Sequence, residues 1–339
     1  MSDVLPSPTR LSRRRVLGIA GAAAGLALPP LSLAAATVPA PALHRWRGTV
    51  LGARATMVLH HPDGAVARRL IAACRAEIAR LERIFSLYRQ DSAVSQLNRE
   101  GALAAPPADL VRLLSLARRV NAVSGGAFDP TVQPLWRLYV DHFSRPAADP
   151  SGPPAAAIEK TLRRVGLDAV AVGARQIRFT RPGMALTLNG IAQGYISDRI
   201  VDLLRAGGIA RALVDLGEID AIGRHPSGRP WRAGIADPDA PGRTLGTVDL
   251  VDCGLATSGD YGTRIDPAGR VTGIFDPRTG AAPRRYRSVT VRAPSAGLAD
   301  ALSTAFFVTP RDVGLAMTGR FPNTGVVVVG RDGRVSWAL

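Results

Sequence analysis

An α+β (mixed α/β) fold, with mixed sheets packed by helices, is what this sequence predicts, on three observations. The chain has 339 residues, 46% of them apolar and 21% charged, enough to build a sizeable core and to exclude wholesale disorder. Segments with a helical apolar period and segments with strand character alternate irregularly, unlike the strict strand–helix–strand repeat of a parallel sheet. Strands then dominate residues 212–291, with turn residues at short intervals.

The elements follow in order. Ser12-Arg13-Arg14-Arg15 precedes a 13-residue apolar run, Val16 to Leu28, closed by Pro29-Pro30, and Ala34-Ala35-Ala36 offers a small-residue cleavage site. A basic start, a short apolar run and small residues predict a twin-arginine signal peptide over 1–36 and a periplasmic mature domain over 37–339. The run is too short to span a bilayer, so the chain is expected to have no transmembrane span of its own. Trp46 to His60 predicts a strand pair broken at Gly52. Pro62-Asp63 opens a long helix whose apolar residues Ile71, Cys74, Ile78, Leu81 and Phe85 step by three and four. A loop carrying Tyr88, Asp91-Ser92 and Asn98 follows, then a helix from about Pro107 to Val120, stopped by Gly125-Gly126. Residues 145–154, rich in Pro, Ala and Asp, predict a surface excursion or hinge. Beyond lie a short helix at 155–164, a hairpin from 176–181 to 184–188, and a helix from Gly190 to Arg205. A last helix spans about Gly297 to Phe307, and strands at 326–329 and 335–337 finish the chain.

Composition removes several chemistries. Lys160 is the only lysine, so 42 of the 43 cationic residues are arginine, and a P-loop or Schiff-base lysine is excluded elsewhere. No two glycines stand two apart, so a G-x-G-x-x-G dinucleotide fingerprint is absent. Two cysteines, Cys74 and Cys253, make no disulfide framework, and the five histidines show no metal-binding spacing. The formal charge of +16 falls to +13 once residues 1–36, with four arginines and one aspartate, are removed. The arginines are scattered singly, so no nucleic-acid partner is expected, but the field favours polyphosphate ligands.

Four segments carry candidate chemistry. In Ala299-Asp300-Ala301-Leu302-Ser303-Thr304, Asp300 and Thr304 stand one helical turn apart, a carboxylate and a hydroxyl suited to Mg²⁺. Equally, Asp300 is a first-turn acid facing a helix N-terminus. Leu186-Thr187-Leu188-Asn189-Gly190-Ile191-Ala192-Gln193-Gly194-Tyr195 runs a strand into a glycine-bearing helix start, which favours an anion, or a plain start capped by Asn189. In Gly126-Ala127-Phe128-Asp129-Pro130-Thr131, Phe128 is a stacking ring or a core residue, and Asp129 a ribose acceptor or a cap. Gly273-Ile274-Phe275-Asp276-Pro277-Arg278-Thr279-Gly280 is a turn whose Arg278 reaches a phosphate or only shapes the turn.

In order and spacing these segments resemble the ApbE family, the FAD:protein FMN transferases. The resemblance runs from about Arg47 to Val308 and includes Leu51-Gly52-Ala53, Phe85-Ser86-x-Tyr88, Val214-Asp215-Leu216-Gly217, Thr257-Ser258-Gly259-Asp260-Tyr261 and Asp276–Gly280. It implies an ApbE-like fold with a flavin cleft between two subdomains. It implies FAD contacts at Leu51, Tyr88, Ala127, Phe128, Asp129, Thr187, Gln193 and Ile274, and Mg²⁺ on Asp300, Thr304 and the carbonyl of Gly190. The implied reaction moves FMN from FAD to a threonine of another protein and releases AMP, with Asp300 as catalytic residue.

The chain departs from the family pattern at Thr187 (usually aspartate), Gln193 (usually lysine) and Gly273 (usually histidine). Losing both members of an acid–lysine pair leaves the local charge nearly unchanged. Losing the histidine removes the obvious base for the acceptor hydroxyl and keeps two alternatives open: hydrolysis of FAD to FMN and AMP, and a non-catalytic periplasmic flavin carrier. Val214–Ile219 and Thr187–Tyr195 look like the exported NosX-type branch, which accompanies nitrous-oxide reductase and flavinylates a membrane-bound NosR-type acceptor bearing a Ser/Thr flavinylation motif.

Overall fold

Alternating half-buried residues at the start of the chain build an antiparallel hairpin, β1 (Leu43–Val50) and β2 (Ala53–His60). It turns at Leu51-Gly52, both at positive φ (46° and 86°), which the glycine accepts without cost. The computed structural model describes residues 42–240 and 242–339, so the expected signal peptide lies outside them. Asp63 then caps α1 (Gly64–Phe85), its carboxylate accepting from Ala65 N at 2.7 Å and Val66 N at 3.3 Å. The helix buries Cys74, Ile78, Leu81 and Phe85, as the periodicity predicts, with Ile71 at the margin of the core.

The expected loop at 88–98 is half helix. Ser92 accepts from Ser95 N, Gly101 closes the end in the left-handed region (φ 73°), and Asn98 sits inside α2 (Ala93–Glu100). Next come β3 (Ala102–Ala104), α3 (Ala108–Val123), α4 (Gln133–Phe143) and α5 (Ala155–Leu162). The excursion between α4 and α5 is exposed from Ser144 to Ala147, yet it is tied down. His142 Nε2 meets Asp149 O at 2.9 Å, and Arg270 donates to Pro150 O.

The predicted hairpin at 176–188 is corrected. β5 (Gln176–Phe179) pairs with β3 and with β4 (Val170–Val172), while 184–188 joins no sheet. The reason is local: the Asn98 amide donates to Leu186 O at 2.8 Å and accepts from Leu186 N at 2.6 Å, taking the bonds a strand partner would make.

α6 (Ala192–Ala206) begins two residues later than predicted. It leads to the strands β6 (Ala212–Asp215), β7 (Ile219–Ile222), β8 (Trp231–Ala236), β9 (Thr244–Leu250), β10 (Gly254–Gly259) and β11 (Tyr286–Ala293). The C-terminal part comprises α7 (Ala296–Val308), α8 (Arg311–Thr318), which the sequence reading did not separate, β12 (Gly325–Gly330) and β13 (Val335–Ala338).

The main sheet is antiparallel throughout, in the order β1-β2-β6-β7-β10-β11-β12-β13. Helices cover one face, with the core between α1, α3, α6, α7 and the sheet. The ribbon β8–β9 covers part of the other, its Trp231, Ala233 and Ile235 alternating inward onto Val58, Leu255 and Val327. A smaller apolar cluster of Val132, Leu135, Tyr139, Val165 and Phe275 stands beside the main core, all within one compact unit. Between core and cluster opens the cleft.

Candidate active site

The helix α7 is apolar on every side, and among its residues Thr304 alone is not buried. Asp300, one turn before it, is 4% exposed. A carboxylate in a wholly buried helix costs stability unless something binds it. Its protein partner is the N-terminal turn of α6: Gly194 N donates to Asp300 Oδ2 at 3.2 Å. That N–H would ordinarily close a helical bond to the Gly190 carbonyl, and among the described residues no N–H donates to that carbonyl. The two helices meet so closely that a methyl group on Gly194 would stand 2.3 Å from Ala296 O, and one on Gly190 would stand 2.8 Å from Thr304 Oγ1. Glycine is required at both places for contact, not for φ. Thr304 Oγ1 lies 3.2 Å from Ser258 Oγ on β10, which also meets Ser303 Oγ at 2.9 Å. The carboxylate and hydroxyl of α7 and the Gly190 backbone, over a hundred positions away, thus face one place.

Burial pushes the Asp300 carboxyl up to about 8; the Gly194 bond opposes this and the charge of Asp198 adds to it. Glu218, just past β6, is raised well above the ordinary carboxylate value, first by burial and then by the charge of Asp300. Among the described residues neither acid has an arginine or histidine partner. Two acids side by side, Asp300 buried and Glu218 half-buried, with no cationic partner are an unfavourable arrangement that a divalent cation relieves. No group of three His, Cys, Asp or Glu side chains that could hold a metal occurs among the described residues. The donors here are of another kind: carboxylate, hydroxyl and free carbonyl, all hard oxygens. That set fits Mg²⁺ completed by ligand phosphate and water.

The cleft, of about 230 Å³, gathers the predicted FAD contacts Ala127, Phe128, Asp129, Thr187, Gln193 and Ile274 together with Gly190, Asp300 and Thr304. Leu51 and Tyr88 line an adjoining depression, which Gln193 also reaches, and exposed Asn189 borders both. Every site residue named from the sequence therefore lies along one continuous surface. Their side chains do different things. Asp129 spends its carboxylate on the fold: Oδ1 accepts from Thr131 N (2.8 Å) and Oγ1 (2.6 Å), and Oδ2 from Leu167 N (2.9 Å). It is a cap at the wall of the cleft. Asn189 makes no cap either, since the residue at the head of α6 is Ile191 and has no side-chain capping bond. Arg278 binds Asp276 through two bonds of 2.8 Å, which is the turn-shaping reading.

Sequence reasoning passed over three lining residues. Trp136 stands at the cleft on α4, its indole about 3.8 Å from where a side chain on Gly273 would begin. Thr272 is buried, and its Oγ1 finds no partner among the described residues. Glu218 was noticed only inside a motif. The acid stands three residues past β6, between Asp215 and Asp220, and nothing local sets it apart from them.

An antiparallel sheet crossed by a buried helix, with an acid and an alcohol presented to the cleft, defines the class. Residues 49–328 match the ApbE family, and the chain belongs to it. It is similar to the FAD:protein FMN transferase of Treponema pallidum (strain Nichols), 36% identical over 271 residues that span 75% of each chain. Among solved structures it resembles the ApbE protein of Thermotoga maritima, with a TM-score of 0.77 and 27% identity over 88% of this chain and 97% of that one. The Pseudomonas stutzeri flavinyl transferase ApbE in its apo form gives a TM-score of 0.73 at 27% identity, over 88% and 96%.

Proposed function

We infer that this chain transfers FMN from FAD to an acceptor protein, with Mg²⁺ held by Asp300, Thr304 and the Gly190 carbonyl, a threonine hydroxyl as acceptor, and AMP as the leaving group. The observation that carries this reading is the convergence of a buried carboxylate without a cationic partner, the half-buried hydroxyl of Thr304 and a free carbonyl at the head of the cleft. Bound there, the cation would neutralise the pyrophosphate of FAD and favour departure of AMP.

The chain's own residues do the rest. The N-terminal end of α6, where Gln193 N–H has no partner among the described residues, presents partial positive charge to the phosphates. Phe128, 3% exposed, forms an apolar wall opposite Ile274, and Gly273 leaves room where a larger residue would fill the cleft. Gln193, whose amide packs on Gly217, supplies polar contact without charge. The twin-arginine pattern of residues 12–36 supports export to the periplasm, and the likeness of Val214–Ile219 to the NosX-type branch supports a membrane-bound NosR-like acceptor.

Purified protein incubated with FAD, Mg²⁺ and an acceptor domain carrying a Ser/Thr-rich flavinylation motif tests the reading. Covalently yellow acceptor with free AMP is the expected product. Free FMN with AMP would make the protein a pyrophosphatase, and unchanged FAD would make it a carrier.

A further inference from the structure

Three titratable side chains line the inner cleft: Asp129, Glu218 and Asp300. An acceptor hydroxyl entering there must hand its proton to one of these, to the leaving group or to water. Asp129 has both oxygens engaged in three short bonds to the fold. Asp300 is the proposed cation ligand, already joined to Gly194 N. Gly273 offers no side chain. Glu218 remains.

Its placement is well determined. The Glu218 carbonyl accepts from Ser197 Oγ at 2.9 Å and from Leu216 N at 3.1 Å, pinning the backbone between α6 and the turn before β7. Gly217, at φ 103°, makes that turn, a conformation that L side chains rarely adopt. Oε2 accepts from Thr257 N on β10 at 3.2 Å, and among the described residues nothing donates to Oε1. One oxygen is anchored and the other is free, beside Asp300 in the cleft.

We propose that Glu218 is the proton acceptor for the attacking hydroxyl, an assignment that rests on the transfer reading above. As the bond forms between the acceptor oxygen and the FMN-side phosphorus, the O–H proton moves to the free oxygen of Glu218. The bond from that phosphorus to the AMP phosphate oxygen breaks, and its electron pair leaves with AMP. The proton then passes to AMP or to solvent, and no oxidant or reductant is needed. The groups facing Glu218 are the carboxylates of Asp300 and Asp215 and the phenol of Tyr261.

Glu218→Gln keeps an oxygen for Thr257 N and removes the base. Single-turnover labelling of the acceptor is expected to slow by about 10²–10⁴-fold. FAD and Mg²⁺ affinities, read by fluorescence and calorimetry, should stay within about threefold, and the acidic limb of the wild-type pH–rate profile should vanish. Glu218→Asp, which keeps the charge on a shorter arm, should be intermediate and retain that limb. A Gln variant as fast as wild type would overturn the proposal alone. So would a slow variant restored by raising Mg²⁺, since Glu218 would then be a cation ligand. A wild-type protein that labels no acceptor would instead overturn the transfer reading, and this assignment with it.

Discussion

Gly190 and Thr304 are in contact across the head of the cleft: a β-carbon on the glycine would lie 2.8 Å from the threonine Oγ1 and 3.5 Å from Phe128 Cε2. Gly190→Ala must therefore push Thr304 out of place or lift the start of α6, at the point where a cation is to be held. Mg²⁺ affinity should fall about tenfold, ~1.4 kcal/mol, as read by calorimetry, with little change in melting temperature. Unaltered binding would mean that Thr304 does not contact the ion.

Gly194 tests packing rather than binding. Its β-carbon position is 2.3 Å from Ala296 O, on the backbone of α7, so the neighbour cannot rotate away. Gly194→Ala should destabilise by roughly 1–3 kcal/mol in denaturant titration and also slow transfer, because the Asp300 bond to Gly194 N moves with the helix. A variant of wild-type stability would show that α6 and α7 are farther apart than described.

A second acid pair, Asp198 half-buried and Asp220 buried, stands at the head of α7. Asp198 takes the N–H groups of Ala296 and Gly297 at the head of α7, and Asp220 packs against it. Burial is the first cause of both upward shifts: it pushes Asp198 up to about 6, and with the charge of Asp198 it pushes Asp220 up to about 8. Since both folded values exceed the ordinary 3.8, the folded state holds more protons than the unfolded chain between about pH 4 and pH 8. The favourable contribution is complete below that window and is lost as pH rises through it. Metal-free protein should accordingly melt at lower temperature at about pH 8.5 than at about pH 5, and Asp220→Asn should flatten the slope. Equal slopes in calorimetry would rule this pair out as the source.

Export is tested separately. Replacing Arg13 and Arg14 with lysine should leave the protein in the cytoplasmic fraction on cell fractionation, since the twin-arginine route reads the paired guanidinium groups. Undiminished periplasmic protein would assign residues 1–36 to another route.

The residues bearing the site were readable from their neighbours in sequence; their arrangement was not. Periodicity located α1 because its apolar spacing is strong, an unbroken apolar run located α7, and glycine marked the turn at Leu51-Gly52. It missed α2, whose N-cap Ser92 and C-cap Gly101 were in plain view but whose eight residues give too short a period. It made 184–188 the second strand of a hairpin, whereas a side chain 88 positions away, Asn98, takes the backbone bonds of Leu186. Asp300 and Thr304 were found because one helical turn joins them. Glu218 gained its meaning only when folding brought it beside Asp300, a relation of 82 positions that no local pattern encodes.

The claim on which the account stands is that Asp300 holds a divalent cation in a cleft for FAD. Calorimetric titration of Mg²⁺ into the wild-type protein and into Asp300→Asn addresses it most directly. The account predicts one saturable site per chain in the wild type, and binding at least about tenfold weaker in a variant that is as stable or more so, because a buried unpaired charge has been removed. Equal Mg²⁺ affinity in the two proteins would contradict it.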